Sequence, residues 1–204
     1  MALSKSALQQ KKERKQKKRV QALKDKRLIQ NQMGQLPLLN RGIIYDAWVS
    51  TNLKDNGIGH VVVSKTYNGM IVMVDFLLDT YCLGVKSILI RKENCDSYHD
   101  LLHMMSNQVD HLTEVNPAYA KKLILSAVAY ANSLGIHPHY EYKKAKMVFD
   151  DIDITDVYIN FEFGRDGKPC LIQGPNDSQE QILTWLDSLK SKCGDDKFNY
   201  LLEM

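Results

Sequence analysis

The chain has 204 residues, of which 44% are hydrophobic and 25% are charged, and its formal net charge at pH 7 is +3. This length supports one packed domain with an appendage rather than two large domains. The sequence contains no run of eighteen or more apolar residues and no CxxC pair among its four cysteines, which argues against a membrane-spanning helix and a disulfide framework. We therefore expect a cytoplasmic protein with reduced cysteines and no membrane partner.

Positive charge is concentrated at the N-terminus. Residues 1–32 contain eleven basic and two acidic residues, a net charge of +9, whereas residues 33–204 contain 16 basic and 22 acidic residues, a net charge of −6. Good helix formers without Gly or Pro between residues 5 and 32 predict a long basic helical arm over residues 1–33. Its middle part, residues 9–19, has no apolar side chain to bury.

A basic segment of this kind is typical of an arm that follows a phosphate backbone. We predict an RNA-binding, ribosome-associated protein, because folded ribosomal RNA is recognised largely by the shape and phosphates of its grooves. The predicted RNA-binding side chains are Lys11, Lys12, Arg14, Lys15, Lys17, Lys18, Arg19, Lys24, Lys26 and Arg27. Alternatives left open are a solvated helix without a partner, a nuclear import signal, an acidic protein partner for the arm, and a protein partner for the acidic body.

Breakers at Gly34, Pro37 and Gly42 predict a linker over residues 34–42, followed by a single domain over residues 43–204. The spacing of Ile44 and Trp48 predicts a short amphipathic helix that ends at Asn56-Gly57. The pair Asn68-Gly69 between two β-rich runs predicts a hairpin. Its register follows from the turn, with these facing pairs: Tyr67 and Met70, Val63 and Val74, Val61 and Phe76.

The remaining elements are predicted from period, capping and turn signals. They are a strand at VKSILIRKE, a helix over residues 98–112 capped by Ser97, a helix from Asn116-Pro117 to Gly135, a helix over residues 140–149, a second hairpin around Asp166-Gly167, a helix with a Ser178–Gln181 capping box ending before Gly194, and a short helical tail. The predicted fold class is α+β, with antiparallel β-hairpins packed by several helices and preceded by the long basic N-terminal helix.

Two stretches, FLLDTYCLGVK and FEFGRDGKP with the later GPND, resemble signatures of a bacterial family of small proteins and domains. The resemblance covers about residues 43–177 and excludes the basic arm. It implies a bacterial, cytosolic setting, and it transfers no reaction and no catalytic residue.

A metal site is suggested superficially by Cys95, His99 and His103, which follow one another at intervals of four residues. If Ser97 caps the helix, however, Cys95 lies outside it and the three side chains do not share a face. The chain also has no glutamate after His99 of the HExxH kind. We therefore predict no metal and no cofactor.

The strongest indication of an enzyme is the polar face of the first hairpin, where Asp75 lies diagonal to His60 and Cys82 follows in the bend. These three residue types would suit a small hydrolase or nuclease that uses the arm for substrate affinity. A simpler interpretation is that an aspartate caps the bend and Cys82 packs as a small apolar side chain. On balance the sequence favours a protein that is not an enzyme.

Overall fold

A computed structural model describes residues 39–108 and 111–202. The predicted basic helix and all ten predicted RNA-binding side chains lie outside these described ranges. None of the helices in the described part of the chain is long and apolar enough to cross a membrane.

The described strands and helices have the following bounds. The strands are β1 Ile43–Ser50, β2 Ile58–Tyr67, β3 Met70–Asp79, β4 Gly84–Asn94, β5 Leu112–Glu114, β6 Cys170–Ile172 and β7 Asn199–Leu201. The helices are α1 Leu53–Asn56, α2 Cys95–Gln108, α3 Pro117–Ser133, α4 Tyr142–Ala145 and α5 Gln179–Cys193, with a 3₁₀ turn at Lys146–Val148.

The first five strands form an antiparallel sheet in the order β4-β3-β2-β1-β5, and β6 and β7 form a separate parallel pair. Helix α3 packs on one face of the large sheet, where its Ile124 and Ala127 join Val61, Val74 and Phe76 in the main core. Helix α2 covers the opposite face with three buried side chains: Tyr98, Leu102 and Met105. The predicted α+β class with antiparallel strands and several helices is confirmed.

The first hairpin has the predicted register. All three predicted facing pairs are observed: Tyr67 with Met70, Val63 with Val74, and Val61 with Phe76. Asn68 and Gly69 have φ angles of 50° and 72°, which are the positive values that a two-residue hairpin turn requires. The turn residues and the alternation of apolar side chains both specify this same register.

The helix predicted between Ile44 and Asn56 is wrong, because most of that stretch is strand β1 and only α1 is helical. A bulge between Ile44 and Ala47 inserts one extra residue in β1 relative to β2. Ile44, Ala47 and Val49 consequently contribute to the same core, whereas Trp48 packs in the cluster beneath α2. The interval between Ile44 and Trp48, which suggested a helix, therefore joins residues on opposite faces of the sheet.

Capping signals predicted two of the helices well. The Asn116 side chain accepts a hydrogen bond from the backbone N–H of Ala118 (2.8 Å) at the start of α3, and the Ser178–Gln181 capping box opens α5. The cap predicted for α2 is wrong: Asn94 Oδ1 accepts from the backbone N–H of Ser97 (2.8 Å), and the helix already includes Cys95.

Three further predictions differ from the structure. Only a single α-turn and the 3₁₀ turn occupy the predicted helix of residues 140–149, and the predicted helical tail contains strand β7 instead. The predicted second hairpin is reduced to its turn, since Arg165 and Lys168 form one isolated bridge. Strand β6, which was expected to pair with the residues before the turn, pairs instead with β7 from the C-terminal part of the chain.

The main core extends into the residues that the sequence analysis assigned to the linker. Leu39 is fully buried in this core, and its carbonyl oxygen accepts a hydrogen bond from Lys65 Nζ (2.9 Å). Lys65 is itself buried and also pairs with Asp151 Oδ1 (2.8 Å). Both contacts attach the start of the described chain to the body.

Candidate functional site

The polar side chains of the first hairpin lie on the face of the sheet opposite α3. Asp75 stands directly across from Val62, which places it diagonal to His60 on the same face. The structure brings these two side chains together: His60 Nδ1 lies 2.9 Å from Asp75 Oδ1 and 3.0 Å from Oδ2. The strand register alone accounts for this contact.

The pair is largely shielded from solvent, since the His60 and Asp75 side chains are 20% and 8% exposed. The backbone N–H of His60 also donates to Ser50 Oγ on the neighbouring strand β1 (2.6 Å). A carboxylate at this distance stabilises a proton on Nδ1 and fixes the orientation of the imidazole ring. The His60–Asp75 half of the predicted enzymatic arrangement is therefore present.

Cys82, the predicted nucleophile, lies in a different environment. Its side chain is fully buried with Leu83, Ala131 and Leu134, and its thiol donates to the carbonyl oxygen of Cys170 (3.3 Å). Burial raises the pKa of the Cys82 thiol. Because the thiolate is the reactive form, this position disfavours nucleophilic chemistry, and Cys82 behaves as a packed apolar side chain.

Asp79 caps the bend that contains Cys82. Its Oδ1 accepts hydrogen bonds from the backbone N–H groups of Tyr81 (2.9 Å), Cys82 (2.8 Å) and Leu83 (3.1 Å). Burial raises the pKa of Asp79, whereas these hydrogen bonds oppose the increase. The Asp79 carboxylate thus caps the bend at the strand end, as the simpler interpretation of the sequence proposed for an aspartate there.

A second polar cluster, which the sequence analysis did not single out, lies buried beneath α2. The Ser64 and Tyr98 hydroxyls both donate to Asp46 Oδ1, the latter at 2.5 Å, and Tyr98 OH is 3.1 Å from Ser64 Oγ. Asp46 lies within the β1 bulge, which the prediction of a helix obscured. Burial is the main cause that raises the pKa of Tyr98, so its hydroxyl remains a donor that ties α2 to the sheet.

The candidate metal-binding side chains are arranged differently from the prediction. Because α2 begins at Cys95, Cys95 and His99 lie one turn apart and both approach Tyr45 OH, at 3.8 Å and 3.3 Å. His103 instead contacts the Asn107 side chain (3.0 Å). Within the described ranges, no group of three or more His, Cys, Asp or Glu side chains is arranged to hold a metal ion.

Basic side chains of the described body are partly neutralised by ion pairs. Lys86 Nζ lies 2.7 Å from Asp177 Oδ2, and the lysine side chain is only 11% exposed. Arg165 and Lys168 lie on the exposed second turn. Lys86 is therefore committed to a contact within the body, rather than to an exposed surface shared with Arg165 and Lys168.

An acidic run was also overlooked in the sequence. Residues 150–162, with the sequence DDIDITDVYINFE, contain five acidic residues and no basic residue. This run has the opposite charge to the N-terminal basic segment. The sequence feature that could have revealed it is the absence of Lys and Arg over thirteen residues, rather than any known motif.

Comparison with known proteins adds no functional assignment. No family model matches the chain, and no curated protein sequence or solved structure shows significant similarity to it. What the structure establishes is an α+β domain with a five-stranded antiparallel sheet.

Proposed function

We propose that this protein binds RNA, most specifically ribosomal RNA, through its basic N-terminal segment. One observation carries the proposal: residues 1–32 have a net charge of +9, while residues 33–204 have a net charge of −6. An acidic body repels a polyanion, so affinity for RNA has to come from the N-terminal segment.

The physical basis is the release of counterions from the phosphate backbone. A protein that makes about 6–10 phosphate contacts loses roughly 10³- to 10⁵-fold in affinity between about 50 and 200 mM salt. The ten candidate side chains in residues 11–27 are sufficient for that number of contacts. Binding should therefore be strong at low salt, steeply salt-dependent and largely indifferent to base sequence.

The described body supports this division of labour. Three of its lysines are paired with carboxylates: Lys54 with Glu162 (3.1 Å), Lys65 with Asp151 (2.8 Å) and Lys86 with Asp177 (2.7 Å). Lys65 and Lys86 are shielded from solvent in their pairs and therefore largely inaccessible to a polyanion, whereas Lys54 is exposed. No enzymatic function is proposed, because Cys82 is buried away from solvent and its thiol is bonded to the Cys170 carbonyl.

Cosedimentation with purified ribosomes at low and high salt tests the proposal. The full chain should sediment with ribosomes at low salt and be released at high salt, whereas a chain without residues 1–32 should stay in the supernatant. Equal sedimentation of both chains at low salt would contradict the proposal.

A charge-reversal variant tests the same point without shortening the chain. Replacing Lys15, Lys17, Lys18 and Arg19 by Glu should abolish sedimentation without changing the unfolding transition of the body. The matched control replaces four exposed lysines of the body by Glu: Lys143, Lys144, Lys190 and Lys192. It changes the net charge equally and should still sediment at low salt, so an equal loss in both variants would show that overall charge, not the N-terminal segment, determines binding.

A further inference from the structure

The acidic segment of residues 150–162 carries five carboxylates, and salt bridges with described residues engage two of them. Asp151 and Glu162 form salt bridges with Lys65 and Lys54. The other three acids form no salt bridge with any described residue: Asp150, Asp153 and Asp156.

Contacts with α3 fix the position of this segment. Lys121 Nζ on α3 donates to the backbone carbonyls of Ile152 (2.7 Å) and Asp150 (3.3 Å). Further along, the Phe161 ring packs edge-on against Tyr119, with ring centroids 5.3 Å apart. The segment is thus held at both ends. Between these contacts Asp153 Oδ1 accepts from the backbone N–H and the hydroxyl of Thr155 (2.9 and 2.6 Å), and the side chains of Asp156 and Tyr158 are exposed.

An open apolar groove of about 600 Å³ lies between the acidic segment and the start of α3. Its apolar lining comes from Val115, Tyr119, Val157, Tyr158 and Ile159, and Asp156 stands at its border. Tyr158 is 87% exposed and Ile159 is 41% exposed. Large apolar side chains exposed next to unpaired carboxylates suit an occupant that is both apolar and basic.

The N-terminal segment of this same chain joins the body next to the acidic segment. Lys65 Nζ contacts both the carbonyl oxygen of Leu39 (2.9 Å) and Asp151 Oδ1 (2.8 Å), so one side chain bridges the first described residue and the acidic segment. Whatever precedes Leu39 therefore starts beside residues 150–162.

The chain is long enough to reach the groove. The five-residue step from Asp151 to Asp156 spans at most about 18 Å, and residues 30–38 span at most about 30 Å when extended. Residues 20–29, VQALKDKRLI, provide the complementary chemistry, since Val20, Leu23, Leu28 and Ile29 are apolar and Lys24, Lys26 and Arg27 are basic.

We propose that residues 20–29 dock in this groove of their own chain, with their basic side chains beside Asp150, Asp153 and Asp156. The acidic segment then competes with RNA for the basic arm. This regulation rests on the proposed function, whereas the docking itself does not. The partner is intramolecular, so even a weak contact is substantially populated at the millimolar effective concentration that a short connection provides.

Competition of this kind weakens RNA binding without preventing it. Exposed ion pairs contribute little each, so RNA with its dense phosphates displaces the acidic segment. The apparent dissociation constant for RNA rises by the reciprocal of the undocked fraction. Docking would therefore weaken the binding of every polyanion to the arm by this same factor.

The first test measures docking directly in the full chain. Replacing Leu23 and Leu28 by Asp should shift the backbone amide NMR resonances of Val157, Tyr158 and Ile159, while resonances of α5 stay unchanged. The control replaces Leu3 and Leu8 by Asp, which introduces the same charge elsewhere in the N-terminal segment and should leave those resonances in place. Unchanged resonances in the first variant would overturn the proposal, and shifts that depend on protein concentration would overturn it in favour of docking on a second copy.

The second test measures the regulatory consequence with an RNA duplex of about 20 base pairs, a length suited to groove binding. Replacing Asp150, Asp153 and Asp156 by Asn should tighten binding about fivefold at low salt, because the docked state is lost. The control variant replaces three exposed acids outside the segment, Asp187, Asp195 and Asp196, by Asn. Unchanged affinity, or equal tightening in both variants, would overturn the regulation.

The two tests separate this inference from the proposed function. If no variant binds the RNA duplex, the proposed function fails, and the NMR measurement alone decides whether residues 20–29 dock. If RNA binds and neither the resonances nor the affinity respond, the proposed function stands and docking is wrong.

Discussion

The two Asx–Gly turns of this molecule have nearly the same backbone but lead to different structures. Asn68 and Gly69 have φ angles of 50° and 72°, and Asp166 and Gly167 have φ angles of 54° and 76°. The first turn joins two ten-residue strands, whereas the second supports a single bridge between Arg165 and Lys168. A favourable turn is therefore not sufficient for a hairpin, because the flanking residues must also prefer each other over other partners.

The flanks of the second turn have better partners elsewhere. Before the turn, the Phe163 ring stacks on Tyr130 of α3, with centroids 5.1 Å apart and planes inclined by 16°. After the turn, β6 pairs with β7. In the first hairpin, Val61, Val63, Val74 and Phe76 all enter one core, so pairing and burial favour the same arrangement.

Hydrogen exchange should show the largest contrast between the two regions. Amides of Val62, Val63, Val72 and Val74 lie in the middle of the sheet and should exchange only on global unfolding, with protection factors of about 10⁴ or greater. Amides of residues 158–163 form no backbone hydrogen bond within the described chain and should be nearly unprotected. Exchange measured by NMR checks this, and comparable protection in both regions would show that the second region pairs in solution.

Truncation of a phenylalanine should distinguish the two regions next. Phe76 is fully buried and packs on Phe149 with centroids 5.7 Å apart, so Phe76→Ala should lower the free energy of unfolding by about 4 kcal/mol. Phe163 is only half-buried, and Phe163→Ala should cost about 1.5 kcal/mol. Urea denaturation checks both values. Equal costs would contradict the link between the cost and the different burial of the two rings, since Phe163 packs only at the edge of the main core.

The loss of stability on removing an aspartate should also differ between the two regions. Asp79→Ala leaves three buried backbone N–H donors without their acceptor and should cost about 3 kcal/mol. Asp79→Asn keeps one oxygen acceptor and should cost less. Asp153 caps the backbone N–H of Thr155 (2.9 Å) on the exposed acidic segment, so Asp153→Ala should leave the urea midpoint unchanged. A neutral Asp79→Ala would rule out the capping role of this side chain.

The smallest contrast concerns the turn glycines themselves. Neither Gly69 nor Gly167 has a neighbouring atom within 4 Å of an added Cβ, so substitution by Ala tests only the backbone conformation. Gly69→Ala should cost about 1 kcal/mol, because the hairpin holds this residue at positive φ. Gly167→Ala should cost less than half as much, since the second turn can relax without disrupting a ladder. Thermal unfolding of the two variants checks the order, and the reverse order would contradict this account.

The sequence was most informative where local and long-range preferences coincide. The first hairpin, β4, α3 and α5 follow directly from alternation, capping residues and turn residues. Strand β1 could not be predicted in this way, because its bulge depends on pairing with β2. The pairing of β6 with β7 could not be predicted either, because it joins residues almost thirty positions apart. Periodicity in a single segment does not contain that information.

The candidate site shows the same limit. The contact between His60 and Asp75 follows from the register of one hairpin, whereas the position of Cys82 depends on packing against Ala131 and Leu134. The cluster of Asp46, Ser64 and Tyr98 joins three separate elements and was invisible in sequence. Sequence reasoning thus located a polar pair, but could not establish which neighbouring side chains complete a site.

The exposed tip at Asn68 and Gly69 also offers a practical position for a probe. Thr66 pairs with Ile43, so the tip lies at the same end of the sheet as the residues where the N-terminal segment enters the body. Exposed tips of this kind tolerate insertion and chemical modification. A fluorophore attached there would monitor, in real time and on single molecules, the approach and departure of the segment that we propose to hold RNA.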